Sequence, residues 1–595
     1  MSTPFERYPR WARTLAHGIR ARLGNTFLLH GNTHDLVPVP TAAEAAPGAT
    51  AGAATGTASA APAPAFLPLT PFLAEWIFGQ RDVVIEYQRA NGAVFHTRES
   101  HTHFSASVSV VDAVHGTTFA QALPREPVAF CALLDAFLKQ VVHGPTRLGV
   151  AVLLPYAETL VPESAGEASA DDRAVRVYIQ KWATDPALLA ANITIVLVTE
   201  NLADVSARVV RSPQTIEVEV TRPDEAERLQ FLESLRDAEW YRSRSDLPVA
   251  RLAQMTSGLT RIQIRQILAS VDEHGARLDV KALREQKKSV IEAECYGLLE
   301  YVESNFTLDM VAGHDGVKKR LRRASQAILA GRLKGVPMGY LIAGPVGSAK
   351  TFLVNCFTGE IGFPCVKFMN FRSQWQGVTE GNLEKILSVL HAMWPVGVII
   401  DEADAFLGDR NQQGDSGTSN RVFAALASFM GNTEYRGKIV WFLITSRPDL
   451  LPVDLKRQGR AEEHLALFYP QTAEEHDALF RLMLKKSGVR SEATAIAQVT
   501  DDPTGLSGAD IEAILARALL SAEVDEQGQP VASIEVLRAA FDDFIPATSQ
   551  LERELQILAA VQECTSREVL PELYRNMDRN DLVARLSELR VLVKS

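Results

Sequence analysis

An apolar run that breaks into glycines and ends on a lysine constrains this chain more than any other feature. Tyr340-Leu-Ile-Ala reads as a buried strand, Gly344-Pro345-Val346-Gly347-Ser348-Ala349-Lys350-Thr351 follows it, and Phe352-Leu-Val opens an apolar helix. A strand that turns through glycines into a helix aims successive backbone N–H groups and the helix N-terminus at one point, as a phosphate requires. Lys350 then reaches the outer phosphates, and Thr351 offers its hydroxyl to Mg²⁺. The loop departs from the usual pattern at Ala349, where a glycine ordinarily precedes the lysine.

A second run, Val396-Gly-Val-Ile-Ile, leads into Asp401-Glu402-Ala-Asp404. Continuous β-branched residues ending on acids predict a buried parallel strand that delivers carboxylates at its C-terminal edge. In a nucleotide site Asp401 would hold the Mg²⁺ shell and Glu402 would polarise the attacking water. By itself the pair also fits an acidic strand-to-loop turn; downstream of a phosphate loop it reads as part of one site.

A third strand, Ile439-Val-Trp-Phe-Leu-Ile-Thr-Ser, runs into Arg447-Pro-Asp-Leu-Leu-Pro-Val-Asp-Leu-Lys-Arg-Gln-Gly-Arg460, and Gly505-Leu-Ser-Gly-Ala-Asp510 opens a later helix. With these segments in this order the chain resembles the AAA ATPases, over roughly residues 285–545. The resemblance implies a parallel α/β core with a small α-helical lid, an ATP·Mg²⁺ site, and assembly into a ring, most often a hexamer. It puts Thr445 and Ser446 at the polar sensor position, where the family usually has Asn. It also matches Arg457 and Arg460 to the arginine fingers that act on ATP held by the neighbouring subunit. Gly508 and Ala509 would let the lid backbone approach the adenosine closely, and Ser507 and Asp510 suit a helix cap as well.

The family carries an aromatic pore loop between the first two motifs. Trp375-Gln-Gly377 fits that position, and a loop aromatic is equally a packing anchor. Residues 408–420 are polar and glycine-rich and read as a loop, followed by a helix beginning near Arg421. The resemblance implies a motor that remodels, unfolds or disassembles a protein partner. A nucleotide-regulated scaffold with slow turnover is the alternative, and a DNA-directed motor is a third reading.

At 595 residues the chain is too long for one core. A net charge of −11 opposes general nucleic-acid binding, which weighs against the DNA-directed reading. Five scattered cysteines suit a reducing, cytoplasmic setting. No apolar run reaches membrane-spanning length.

The first half repeats the pattern of the second. Thr199, ending Ile193-Thr-Ile-Val-Leu-Val, lies 246 residues before Thr445, and the same offset carries Asp401 and Glu402 onto Pro155 and Tyr156. Those residues cannot hold Mg²⁺ or activate water through a carboxylate. The strand near Thr26 ends at Gly31 with no lysine after it, and His30, His34 and Asp35 read as turn and capping groups more than as metal ligands. This order is similar to that of a plastid and bacterial AAA family with an inactive N-terminal half.

The expected organisation is a degenerate AAA-like module over 1–275 with an Ala/Pro/Gly-rich insertion at 38–68. A helical connector at 276–310, an ATPase core at 311–470, a helical lid at 471–545 and a helical tail at 546–595 complete it. The tail's spacing suits packing or docking.

Overall fold

The apolar runs build two six-stranded sheets, one in each half of the chain. The structure, a computed structural model, describes residues 8–40, 66–144, 147–163, 169–275, 277–295, 297–302, 304, 306–361, 364–369, 380–407, 418–524, 530–546 and 549–594. It divides into two units, Met1–Val290 with Thr379–Ala392, and Ile291–Val378 with Met393–Ser595.

In the first unit the strands are β1 (Thr26–Gly31), β2 (Leu36–Pro38), β3 (Phe66–Pro68), β4 (Val83–Gln88), β5 (Gly92–Phe95), β6 (Val150–Pro155), β7 (Ile193–Val198) and β8 (Thr215–Val220). The sheet order is β5-β4-β6-β7-β1-β8, parallel except for the β4–β5 hairpin. β6 and β7 are buried along their whole length because apolar layers cover both faces. Leu28 packs with Phe130, Phe137 and Trp182 on one side, while its neighbours Phe27 and Leu29 pack with Trp11 and Phe72 on the other. β2 and β3 form a separate antiparallel ribbon at the two ends of the low-complexity insertion, whose residues 41–65 lie outside the described set. Helices Glu225–Leu235, Val249–Met255 and Arg261–His274 follow the sheet.

The second unit contributes β9 (Leu299–Val302), β10 (Gly339–Ala343), β11 (Cys365–Phe368), β12 (Val396–Ile400), β13 (Ile439–Thr445) and β14 (Glu463–Ala466). Its order is β14-β10-β13-β12-β11-β9, again parallel except at one edge, where β9 runs against β11. Read from opposite ends, the two sheets have the same plan, with β8, β1, β7, β6 and β4 matching β14, β10, β13, β12 and β11.

The antiparallel edge strand differs in origin. In the first unit β5 follows its neighbour in a hairpin, whereas β9 precedes the whole second sheet. Among the described residues of 276–310, read from sequence as a helical connector, only Val280–Glu294 is α-helix. Residues 299–302 instead alternate, with Leu299 and Tyr301 buried and Glu300 exposed, so they complete a sheet edge.

Helices Ala473–Ser487, Gly508–Leu520 and Ile534–Asp542 share one apolar cluster after β14. The tail helices Gln550–Glu563 and Arg579–Lys594 pack on Ala343, Ala466 and Phe468 at the C-terminal ends of β10 and β14. Among the described residues no helix is long and apolar enough to cross a membrane.

Candidate active site

Strand register brings the predicted segments together. Ala343, the last residue of β10, pairs with Thr445, the last of β13, and Ile400, the last of β12, pairs with Leu443. The phosphate-loop candidate, the acids and the sensor position therefore share the C-terminal edge of one parallel sheet, where ligands bind in open α/β folds.

The loop itself is tightly built. Gly344 (φ 156) leaves no room for a Cβ, which would fall 2.3 Å from the Leu467 carbonyl oxygen. A Cβ on Gly347 (φ 81) would lie 2.5 Å from the Cβ of Ser507, so this glycine is what lets the loop touch the lid. Ala349 sits at φ 62, in left-handed backbone that a glycine adopts without cost. The helix Lys350–Ile361 starts directly after it. The Lys350 ammonium donates to the carbonyls of Gly344 (2.9 Å) and Pro345 (2.8 Å). Burial pushes it down to about 8, against the opposing influence of Asp401 and Asp404. The Ser348 hydroxyl is buried and has no hydrogen-bond partner among the described residues. Phe352 packs against Phe306 at 5.7 Å between ring centres.

Beside the loop, the Thr351 hydroxyl lies 3.2 and 3.3 Å from the two oxygens of Asp401. Glu402 is exposed and holds left-handed backbone, φ 48. The Thr445 hydroxyl donates to Asp404 at 2.5 Å and accepts from the Arg447 N–H at 2.8 Å, while Ser446 is half-buried next to it. A residue that sequence reasoning missed also reaches this group: Lys367 of β11 pairs with Asp401 at 2.9 Å. The available signal was a lone cation in the apolar strand Cys365–Phe368.

The lid motif begins the helix Gly508–Leu520, with Ser507 as N-cap in a reciprocal capping box with Asp510, and Ala509 is exposed. Capping and close approach to the loop thus coexist at Ser507.

Arg457 and Arg460 lie elsewhere. A Cβ on Gly339, the first residue of β10, would lie 3.0 Å from the Arg460 carbonyl oxygen. The arginine segment therefore sits at the opposite end of β10 from Gly344, roughly 16 Å away at about 3.3 Å per residue. Arg457 is exposed, and Arg460 donates to the Asp454 carbonyl at 2.8 Å. Trp375 falls outside the described residues, as do residues 408–417; the helix Thr418–Met430 includes Arg421.

The first unit fills the equivalent edge differently. β1 leads from Gly31 (φ 95) into a turn, and the Asp35 carboxylate accepts the N–H groups of Arg261 (3.0 Å) and Ile262 (3.1 Å). The chain's own acid, 3% exposed, thus occupies the N-terminus of the helix that corresponds to the lid helix. Arg261 and Glu227 close this buried cluster at 3.1 Å, and the His34 ring packs near Tyr156 at 5.8 Å. One pair recurs in both units: Thr199 donates to Glu158 at 2.8 Å as Thr445 does to Asp404. That bond braces the strand end whether or not acids equivalent to Asp401 and Glu402 are present.

The family model described as "ATPase family associated with various cellular activities (AAA)" matches residues 340–469. Two others, "AAA+ chaperone, N-terminal Rossmann-like domain" and "AAA+ chaperone, second helical domain", match 3–221 and 226–296. Residues 340–469 belong to the AAA ATPases. AAA relatives include an "ATPase family protein 2 homolog" of Caenorhabditis elegans, 26% identical over 52% of this chain and 43% of the relative. A "Cell division cycle protein 48 homolog" of Archaeoglobus fulgidus is 25% identical over 58% and 50%. The "Uncharacterized AAA domain-containing protein ycf46" of Trieres chinensis is 28% identical over 46% and 55%. The chain spans about half the length of these curated relatives.

The AAA site fits a nucleoside triphosphate with Mg²⁺. The glycine-built loop ending on Lys350, the unpartnered Ser348 hydroxyl and the Thr351–Asp401 oxygen pair form a donor set suited to a polyphosphate and a hard cation.

Proposed function

We propose that this chain is an ATP-hydrolysing motor that remodels a protein partner, with its working site in the C-terminal module. The observation that carries the reading is the shared edge at which Lys350, Thr351, Asp401 and Glu402 meet, with Arg457 and Arg460 at the far end of β10. Lys350 would neutralise the outer phosphates, and Thr351 and Asp401 would hold Mg²⁺, which supplies charge stabilisation to the transferring phosphoryl group. Glu402 would orient the attacking water and take its proton. Gly508 and Ala509 would lie against the adenosine. Arg457 and Arg460 are too far from their own chain's loop to serve it, which supports delivery to a neighbouring subunit in a homo-oligomeric ring, a hexamer by family likeness. Trp375 is assigned to gripping the partner on sequence grounds.

The first module would act as a scaffold that does not hydrolyse ATP, since Asp35 already occupies its helix N-terminus and Pro155 and Tyr156 replace the acids. None of the five cysteines, all described, forms a disulfide, in keeping with work in the cytoplasm. The strained Ala349 favours a second reading, a nucleotide-regulated scaffold with slow turnover.

The test is to compare wild type with Glu402→Gln, then to hold Glu402→Gln in ATP, size the assembly and identify what copurifies. Turnover lost in the variant, with a trapped ring and a bound client, supports the motor. Equal and slow hydrolysis by both proteins would leave the scaffold.

A further inference from the structure

The C-terminal tail reaches into the nucleotide site. Gln556, on the helix Gln550–Glu563, is 2% exposed, and its side-chain oxygen accepts the N–H of Val346 in the phosphate loop at 2.9 Å. The other backbone group of Val346 is held as well, because the Tyr469 hydroxyl donates to its carbonyl at 2.7 Å. One turn earlier on the tail helix, Arg553 donates to the Gly505 carbonyl at 2.9 Å and lies 3.6 Å from Asp510. Asp510 is the acid that accepts the N–H and hydroxyl of the N-cap Ser507. Arg553 also stands over the Tyr469 ring at 5.8 Å. Residues three apart on a helix share a face, so one face of the tail holds both the loop and the lid helix where Gly347 meets Ser507.

The far end of the same helix reaches the arginine segment. Glu563 pairs with Lys456 at 2.5 Å, and Lys456 immediately precedes Arg457. The Glu563 carbonyl lies 2.9 Å from the His464 ring, at the start of β14. From Gln556 to Glu563 the helix rises about 10 Å at about 1.5 Å per residue. An apolar cluster seats this helix on Ala343, Ala466 and Phe468 and holds it to the sheet.

We propose that the tail helix is a strut of the active site: Gln556 and Arg553 are positioning residues for the phosphate loop and lid, Glu563 is one for the arginine segment, and the helix links a chain's own nucleotide site to the arginines it offers its neighbour. The proposal rests on the ATPase reading above. It turns the tail from a packing element into a determinant of nucleotide affinity and of turnover in the adjacent subunit.

The test uses the full chain, with a fluorescent ATP analogue for affinity and steady-state hydrolysis for KM and kcat. Gln556→Met keeps the side-chain length and removes the acceptor; it should weaken analogue binding and raise KM about three- to tenfold with kcat little changed. Gln556→Glu, which retains an acceptor oxygen, should recover most of the binding. Glu563→Gln should lower kcat and leave analogue affinity at the wild-type value. Arg553→Gln, on the same helix, gives up the contacts to Gly505 and Asp510 and carries the same affinity test if Gln556→Met does not fold.

Wild-type affinity in Gln556→Met or Arg553→Gln together with wild-type kcat in Glu563→Gln would overturn the strut and leave the tail as packing. Failure of the wild-type protein itself to bind the analogue would instead overturn the ATPase reading.

Discussion

Tyr156 and Glu402 stand at the same register position of two matching sheets, and both hold left-handed backbone, at φ 57 and φ 48. Both strand ends make the same turn, and Tyr156 stands in the first unit where the second has the carboxylate that we propose activates water. Such backbone costs a residue with a Cβ on the order of 1–2 kcal/mol, so its retention in both units points to the shared plan and not to catalysis. Glu402→Gln should lower ATP turnover by about 10²-fold or more while nucleotide binding survives. Tyr156→Glu should restore nothing to Glu402→Gln, because the first unit has no lysine or threonine in the places of Lys350 and Thr351. Hydrolysis assays on the single and double variants decide this.

Ala349 carries the same kind of strain inside the phosphate loop. Ala349→Gly should relieve part of the left-handed cost, raising the Tm of the C-terminal unit by about 1–3 °C. It should also tighten ATP binding by up to about tenfold, since the anion-binding conformation would no longer be penalised. Scanning calorimetry and analogue titration measure the two effects, and an unchanged affinity would mean that the loop is held in shape by its neighbours alone.

The arginines make a prediction about pairs of chains. Arg457→Ala should cost about 10³-fold in turnover with nearly wild-type nucleotide affinity, as expected for a group that meets the phosphate only from a neighbour. Mixing Arg457→Ala with Glu402→Gln should restore part of the activity, because the second chain lends its arginine to an intact site on the first. No recovery on mixing would show that the arginines do not act across an interface.

A buried lysine makes the first unit sensitive to pH. Lys287 is 4% exposed and donates to the Met255 carbonyl (3.0 Å) and the Ser257 hydroxyl (3.2 Å). Burial, with Arg228 adding to it, pushes its ammonium down to about 7. The unfolded chain binds that proton up to about pH 10.4, so between there and about 7 it holds more protons than the folded chain, and this group makes stability rise with pH across that window. The Tm difference between Lys287→Met and wild type should therefore move in the variant's favour as pH falls from 10 to 7 and level off below. A difference independent of pH would mean that Lys287 keeps an ordinary proton affinity.

Much of the second sheet and its edge is legible in the amino-acid sequence. Val396–Ile400 and Ile439–Thr445 announce buried parallel strands by continuous apolar residues, and glycines with a lysine at fixed spacing announce the turn between them and the nucleotide. The 246-residue offset was legible for a related reason: the strand ends carry polar residues, and Thr199 and Thr445 mark the same one. Lys367 was not legible, because a single cation in a strand says nothing about which acid lies on the next strand. Residues 299–302 were read as connector because four alternating residues next to a helix carry too little signal to name a sheet edge.

Local chemistry, as the sequence alone determined it, marks Gly344–Thr351 as the candidate phosphate loop and Asp401-Glu402 as its proposed partner, because those functions need particular side chains at short spacing. Tertiary structure alone decided how much strain Ala349 bears, that Asp35 closes the equivalent corner of the first unit, and that Gln556 holds Val346. These depend on backbone angles and on segments up to 227 residues apart meeting in space, and no spacing along a chain records them.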